Sequence, residues 1–195
     1  MIEIRNLCKS YEGKVVYKDL NLCFKEKEIT VLMGPSGIGK TTLLRILAGL
    51  ESYEKGEIFG IEGKRVAFVF QEDRLMPWLT VRENIEYVLA SWMSKSAYQE
   101  RTTEILEMVD LLEVQNQFID ALSGGMQRRV ALGRALAYDS DLLLMDEPFK
   151  GLDDRLKYDM IEKIKTLTHL RGTTVICVTH DLEEAKKLGE VIGLG

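Results

Sequence analysis

The sequence predicts an α/β fold, a parallel sheet with helices on both faces. Three observations predict it. The run Ile29-Thr30-Val31-Leu32-Met33 is apolar or β-branched throughout and passes through a glycine-rich turn into a helical segment, Thr42–Ala48. Asp141–Asp146 is a second apolar run, and Thr173–Thr179 is a third. Each is set among segments with helical spacing. Strands that are apolar on both faces belong to sheets covered on both sides, and their alternation with helices is the pattern of parallel sheets.

The N-terminal part reads as β structure. Leu20, Leu22 and Phe24 alternate with Asn21, Cys23 and Lys25, the pattern of a half-buried strand. Ile29–Met33 is a buried strand and Thr42–Ala48 the helix that follows it. Glu57–Phe59 and Arg65–Phe70 are further strands, with glycines punctuating the turn between them. From about Val81 to Leu112 long polar residues separate apolar ones, which reads as a helical insert into the α/β core. Gly125–Tyr138 is another helix. The strand Asp141–Asp146 ends in an acid; then come a helix, the strand Thr173–Thr179 and the helix Asp181–Leu188. No repeat or low-complexity tract interrupts the pattern. A length of 195 residues suits one domain, 1–195, with a core of its own.

Hydrophobic residues make up 46% and charged residues 29%, which places the chain among ordinary globular proteins. The net charge of −5 speaks against an extended nucleic-acid surface, which is usually basic. No apolar run approaches the length of a membrane span. The start, Met1–Arg5, lacks the basic and apolar regions of a secretory leader. The three cysteines, Cys8, Cys23 and Cys177, have no metal-ligand spacing and read as reduced packing residues of a cytosolic protein.

Gly34-Pro35-Ser36-Gly37-Ile38-Gly39-Lys40-Thr41 fits G-x-x-x-x-G-K-[ST], and it lies between a strand and a helix as that phosphate-binding loop requires. Its glycines let backbone N–H groups turn inward around phosphate oxygens, and the helix N-terminus adds partial positive charge. Lys40 is then expected to reach the β- and γ-phosphates, and the Thr41 hydroxyl to hold Mg²⁺. A glycine turn without a ligand has no need of Lys-Thr at this spacing.

Asp146 and Glu147 close an apolar strand, so two carboxylates stand at its C-terminal end, where open α/β sheets bind ligands. Asp146 suits Mg²⁺, directly or through water. Glu147 suits the polarising of an attacking water. His180 follows the strand Thr173–Thr179 at the same expected sheet edge, within reach of a γ-phosphate. His169, the other of the two histidines, falls late in a helix and is expected to face solvent. Gln71 follows the strand that ends at Phe70, and its amide can coordinate Mg²⁺ or bond the nucleophilic water. Leu122-Ser123-Gly124-Gly125-Met126-Gln127 opens a helix with a serine cap and two glycines, leaving N–H groups for an anion. The chain thus has two phosphate-binding helix starts and needs one for its own nucleotide. The second is expected to serve the nucleotide of another subunit.

In this order the motifs resemble the nucleotide-binding subunit of an ATP-binding cassette (ABC) transporter, over nearly the whole chain. Gly34–Thr41, with Thr42 beside it, is similar to the Walker A motif, and Gln71 to the Q-loop. Leu122–Gln127 is similar to the ABC signature, Leu142–Glu147 to Walker B, Leu152-Asp153 to the D-loop and His180 to the H-loop. Tyr11 matches the aromatic residue that stacks on adenine. The resemblance implies a P-loop NTPase core, a small N-terminal antiparallel β subdomain and an inserted helical subdomain at approximately 81–122. It implies ATP and Mg²⁺ as ligands, with Thr41, Gln71 and Asp146 around the metal and Glu147, His180 and Gln71 in catalysis. Two cassettes would face head to tail, each ATP touching Walker A of one and Ser123, Gly124 and Gly125 of the other, with Asp153 also among the nucleotide-binding residues. Closure on ATP would drive transmembrane permease subunits from the cytoplasmic face of the membrane, indirectly serving a solute-binding protein, with no nucleic acid expected.

Within the family, Gln71–Val81 with its Pro77-Trp78 pair resembles importers of the nitrate, sulfonate and taurine group, hence of small anionic solutes. Met76, Trp78 and Leu79 either line a groove for a permease helix or pack internally. Lys150-Gly151 departs from the small residues usual there and puts a charge near the expected dimer seam. Glu51–Lys64 is short, which suggests a reduced antiparallel subdomain. Two rivals stand beside the transporter reading. A soluble ABC ATPase acting on nucleic acid or ribosomes usually carries tandem cassettes or a long coiled coil. A P-loop kinase has no use for Leu122–Gln127.

Overall fold

The computed structural model describes residues 1–194. Its strands are β1 (Ile2–Tyr11), β2 (Lys14–Phe24), β3 (Ile29–Met33), β4 (Lys55–Phe59), β5 (Val66–Val69), β6 (Leu142–Asp146), β7 (Thr174–Val178) and β8 (Glu190–Gly193). Its α-helices are α1 (Lys40–Leu47), α2 (Val81–Leu89), α3 (Lys95–Met108), α4 (Gly124–Ala137), α5 (Asp154–Arg171) and α6 (Leu182–Leu188).

β1 and β2 form an antiparallel hairpin. Its two turn residues, Glu12 and Gly13, both have positive φ, the turn whose twist matches that of paired strands. β4 pairs antiparallel with the other edge of β1, giving a three-stranded sheet of order β2-β1-β4. The second sheet has five strands in the order β5-β6-β7-β3-β8, and every neighbouring pair is parallel.

The central strands explain the layering. β6 and β7 are buried at every position. Successive side chains point to opposite faces of a strand. Leu143, Met145, Val175 and Cys177 accordingly join an apolar cluster with Ile85, Leu106, Val130, Leu132 and Ile161 of the helices. Leu142, Leu144, Ile176 and Val178 join a second cluster with Leu43 and Leu44 of α1 and with Ile2, Ile4 and Phe24 of the antiparallel sheet. The parallel sheet is therefore covered on both faces, as the apolar runs predict.

The stretch expected to be helical from Val81 to Leu112 divides at Ala90–Ser94 into α2 and α3. α2 starts with a capping box: the Thr80 hydroxyl accepts from the Glu83 N–H and the Glu83 carboxylate accepts from the Thr80 N–H. α4 packs closely on these helices. A Cβ at Gly133 would come within 3.2 Å of Ile105 and 3.4 Å of Ile85, so a larger residue there would push these side chains back by a few tenths of an ångström.

One expectation about packing is corrected. Cys177 is buried, but Cys23 is exposed on β2, where the alternation it shares with Asn21 turns it outward. Among the described residues no helix is long and apolar enough to cross a membrane.

Candidate functional site

The register of the parallel sheet assembles the site. Leu32 of β3 and Asp146 of β6 are both paired with Val178 of β7, so the three strands end at one level. β5 ends beside them, with Val69 paired to Met145. The segments that leave these ends carry Gly34–Thr41, Glu147, His180 and Gln71 along one edge of the sheet.

Gly34–Gly39 runs from β3 into α1. Gly37 and Gly39 have φ of 81° and 108°, left-handed conformations in which glycine is favoured. A Cβ on Gly39 would also lie 2.5 Å from the hydroxyl oxygen of Tyr17. Tyr17, on β2, is buried, and its hydroxyl donates to the Gly39 carbonyl. Burial raises the pKa of that phenol well above its ordinary value. Ile38 packs its side chain into the apolar cluster under the loop, so it serves the cleft through its backbone. The Lys40 ammonium curls back along the loop and donates to the carbonyls of Gly34 at 2.7 Å and Pro35 at 2.9 Å.

Thr41 and Asp146 meet directly. The Thr41 hydroxyl donates to Asp146 Oδ2 at 2.7 Å. Burial holds the Asp146 carboxyl above its ordinary pKa, against the Thr41 bond that favours the charged form; the neighbouring Glu147 charge pushes it the same way as burial. A hydroxyl and a buried carboxylate whose charge is otherwise disfavoured form a donor set that suits a divalent cation. Glu147 has a φ of 47°. Its N–H donates to the Val178 carbonyl at 2.9 Å. Its carboxylate lies between two cationic or titratable groups, His180 Nδ1 at 3.3 Å and Lys150 Nζ at 3.6 Å.

These residues surround a cleft of about 420 Å³ lined by Tyr11, Lys14, Val16, Ser36, Gly37, Gly39, Lys40, Thr41, Thr42, Gln71, Asp146, Glu147 and Val178. Gln71 also borders a smaller hollow with Thr41, Arg45 and Asp146. Tyr11 is exposed at the end of β1, and the Lys9 ammonium sits 4.4 Å above its ring. The cleft offers loop N–H groups, a lysine, a metal-type donor pair and an aromatic ring, which together fit a nucleoside triphosphate with its cation.

Ser123, Gly124, Gly125 and Asp153 are not among the residues that line this cleft. Ser123 caps α4, its hydroxyl accepting from the Met126 N–H at 3.3 Å, and it is exposed. Asp153 caps α5, accepting from the Leu156 N–H at 3.0 Å. The two caps are close in space, since the Cβ position of Gly125 is 3.4 Å from the Gly151 carbonyl.

Arg128 is a site residue that the motifs do not reveal. It is 2% exposed. Its Nε donates to the Pro148 carbonyl at 2.8 Å, and its Nη2 to the carbonyls of Asp146 at 3.0 Å and Glu147 at 2.7 Å. Its Nη1 donates to the Phe70 carbonyl at 2.6 Å and to Asp73 Oδ1 at 2.8 Å. One guanidinium thus pins the end of β6 to the segment that carries Gln71. The sequence signal was its place on a helical stripe with Ala131, Leu132 and Ala135, where a charge has no solvent.

A larger hollow of about 820 Å³ lies away from this cleft, lined by Phe68, Tyr87, Val88, Arg134, Ala135 and Tyr138 among others. Met76, Trp78 and Leu79 are not part of its lining. Trp78 is 71% exposed, so it does not pack internally either. Met76 and Leu79 are tied through their backbone to the buried side chain of Asn84.

Comparison with known proteins agrees with this geometry. The sequence model of the ABC transporter family matches residues 17–150. The chain is 42% identical to a spermidine/putrescine import ATP-binding protein of Spiroplasma citri, over 98% of this chain and 58% of that protein. It is 40% identical to an Fe(3+) ions import ATP-binding protein of Pasteurella multocida, over 93% of this chain and 55% of that protein. The chain therefore spans somewhat over half the length of these curated relatives. Neither name belongs to the nitrate, sulfonate and taurine group that Pro77-Trp78 suggested. A dimeric structure of the ATP-binding cassette MJ0796 bound to ADP and Pi superposes with a TM-score of 0.90 at 35% identity, covering 100% of this chain and 94% of that one. With the family model matched across most of its length and the cassette fold reproduced throughout, the chain belongs to the ABC transporter family.

Proposed function

We propose that the chain is the ATP-hydrolysing subunit of a small-solute importer, one cassette spanning residues 1–195 with an inserted helical subdomain at approximately 81–122. The observation that carries this reading is the split between two anion-ready helix starts. One, at Gly39–Thr42, faces Asp146 and Glu147 across the cleft; the other, at Ser123–Gly125, stands outside it. A second copy of the cassette supplies the missing half.

In this reading Lys40, Ser36 and the loop N–H groups hold the phosphates and Tyr11 stacks on the base. Thr41, Asp146 and Gln71 hold Mg²⁺, which when bound neutralises charge on the phosphates. Glu147 orients a water and takes its proton as the water attacks the terminal phosphorus; the bond from that phosphorus to the bridging oxygen breaks, so ADP and phosphate leave, while His180 holds the Glu147 carboxylate from its other side. ATP favours the closed pair because only that state completes its contacts, and the closing motion is passed to a permease. The hollow beside Tyr87, Val88 and Phe68 has the apolar lining and exposed rim that seat a helix, so a cytoplasmic helix of the permease docks there. The protein then works peripherally at the membrane. Polyamine and ferric-iron systems are where the relatives act, while the Pro77-Trp78 pair supports an anionic cargo. Selection between them lies in the permease and its binding protein.

The test is Glu147→Gln with Mg-ATP. It is expected to bind ATP, to turn over at a rate reduced at least about a hundredfold, and to run as a dimer in size-exclusion chromatography. A variant that hydrolyses at the native rate removes Glu147 from catalysis; one that stays monomeric at saturating ATP removes the shared site.

A further inference from the structure

Lys157 lies one turn into α5, just past the cap Asp153. Its side chain is 12% exposed, and its ammonium faces three carboxylates, Asp154 at 3.3 Å, Asp181 at 3.3 Å and Glu184 at 3.1 Å. Asp154 belongs to the same helix and is largely exposed. Asp181 and Glu184 belong to the start of α6, which packs beside α5. The ammonium donates to Asp181 and is ion-paired with the other two carboxylates, the condition under which a lysine tolerates burial. Burial pulls its pKa down, but the bonds to Glu184 and Asp181 outweigh that and hold it above the ordinary lysine value.

The two α6 carboxylates hold the backbone around His180. Glu184 is buried and accepts from the Thr179 hydroxyl at 2.6 Å. The same hydroxyl accepts from the Asp181 N–H at 3.1 Å. Asp181 caps α6, accepting from the N–H groups of Glu183 at 2.8 Å and Glu184 at 3.1 Å. His180 stands between Thr179 and Asp181, so the residues on both sides of it are fixed by this cluster. Its own side chain is 70% exposed, and its contact with Glu147 is 3.3 Å. An imidazole that exposed gets little orientation from packing; its direction is set by the backbone that carries it.

We propose that Lys157 is a positioning residue for His180. By tying the start of α5 to the start of α6 it fixes the peptide that presents the imidazole to Glu147. The same tie joins Asp153, which the family resemblance counts among the nucleotide-binding residues, to the catalytic edge. The proposal rests on the reading of His180 as part of the hydrolytic set.

Steady-state ATP hydrolysis by the whole chain tests it, with Lys157→Met, His180→Ala and the double variant. Lys157→Met is expected to lower kcat roughly tenfold to a hundredfold, as small misplacements of a catalytic group do, with KM for ATP within about twofold of the native value. In the His180→Ala background the same substitution is expected to cause no further loss. A native kcat in Lys157→Met, or an equal loss in both backgrounds, overturns the proposal. A native rate in His180→Ala overturns instead the reading on which it rests. If Lys157→Met does not fold, Thr179→Val cuts the cluster from its other side and is expected to show the same loss and the same absence of a further effect beside His180→Ala; additivity there overturns the proposal equally.

Discussion

Replacing Arg128 by methionine keeps most of the side-chain volume and removes the guanidinium. Six acceptors lose a donor: the carbonyls of Phe70, Gln71, Asp146, Glu147 and Pro148, and the Asp73 carboxylate. Asp73 is partly exposed and turns to water. The Glu147 carbonyl keeps the Lys150 N–H; the other carbonyls stand beside a residue that is 2% exposed, and each one left dry costs about 1–3 kcal/mol. If two of them stay dry, the loss is about 4 kcal/mol, in the range for breaking a buried charged network. For a chain of this length each kcal/mol moves Tm by about 2–4 °C, so the expected fall is roughly 12 °C. Thermal unfolding followed by circular dichroism reads it directly. Lysine at this position keeps the charge but has a single head group, so Arg128→Lys is expected to recover less than half of the fall. A Tm within about 3 °C of native for Arg128→Met would show that the carbonyls find water or other donors, and the view of Arg128 as the pin between β6 and the Gln71 segment would be wrong.

Two further outcomes follow from the site. Gly39→Ala places a Cβ against the Tyr17 hydroxyl at a φ of 108°, so the loop must move; ATP affinity, measured by titration calorimetry, is expected to fall more than about tenfold, and an unchanged Kd would contradict the packing. Lys150→Gln removes an exposed charge 3.6 Å from Glu147 Oε2. Turnover at low salt is expected to rise about twofold as the carboxylate is released, and the difference from native is expected to vanish near 0.5 M salt, where such a pair is screened; a salt-independent difference would point to packing.

How much of this was legible depended on whether a residue's meaning is local. β3, β6 and β7 were readable because they are apolar on both faces. β1 was not delimited, for a physical reason. Its pairing with β2 shifts register after Ile4, Leu7 and Lys9, and Asn6 has a φ of 49°, so no steady alternation survives in the sequence. The gathering of Lys40, Thr41, Asp146, Glu147 and His180 at one sheet edge was readable because each follows the end of a strand that the apolar runs mark. Arg128 and Lys157 were not, because their partners lie on other elements. Arg128 still left a trace, a charge on an apolar stripe. Trp78 was open in the sequence between lining a groove and packing internally, and only the fold decides against packing: the backbone on either side is held by Asn84 and the ring is exposed.

The left-handed backbone at Glu147 ties these threads together. Side chains alternate along β6, with Met145 on the helical face and Asp146 on the opposite face. A strand continued one residue further would turn Glu147 toward the helices, away from the P-loop. The φ of 47° breaks the alternation, and both carboxylates line the same cleft. For a residue with a Cβ that conformation costs about 1–2 kcal/mol, so it persists only where its surroundings hold it. They do so at both ends: the Glu147 N–H donates to Val178, and its carbonyl accepts from Arg128. Glycine would relieve the strain and lose the carboxylate. Glutamine keeps the Cβ, both backbone bonds and the shape, and changes only the basicity of the side chain. A loss of turnover in Glu147→Gln at native stability therefore reports on chemistry. The same loss in Arg128→Met, with the carboxylate intact, would report that the cleft works only while the guanidinium holds the Glu147 backbone and the Gln71 segment in place.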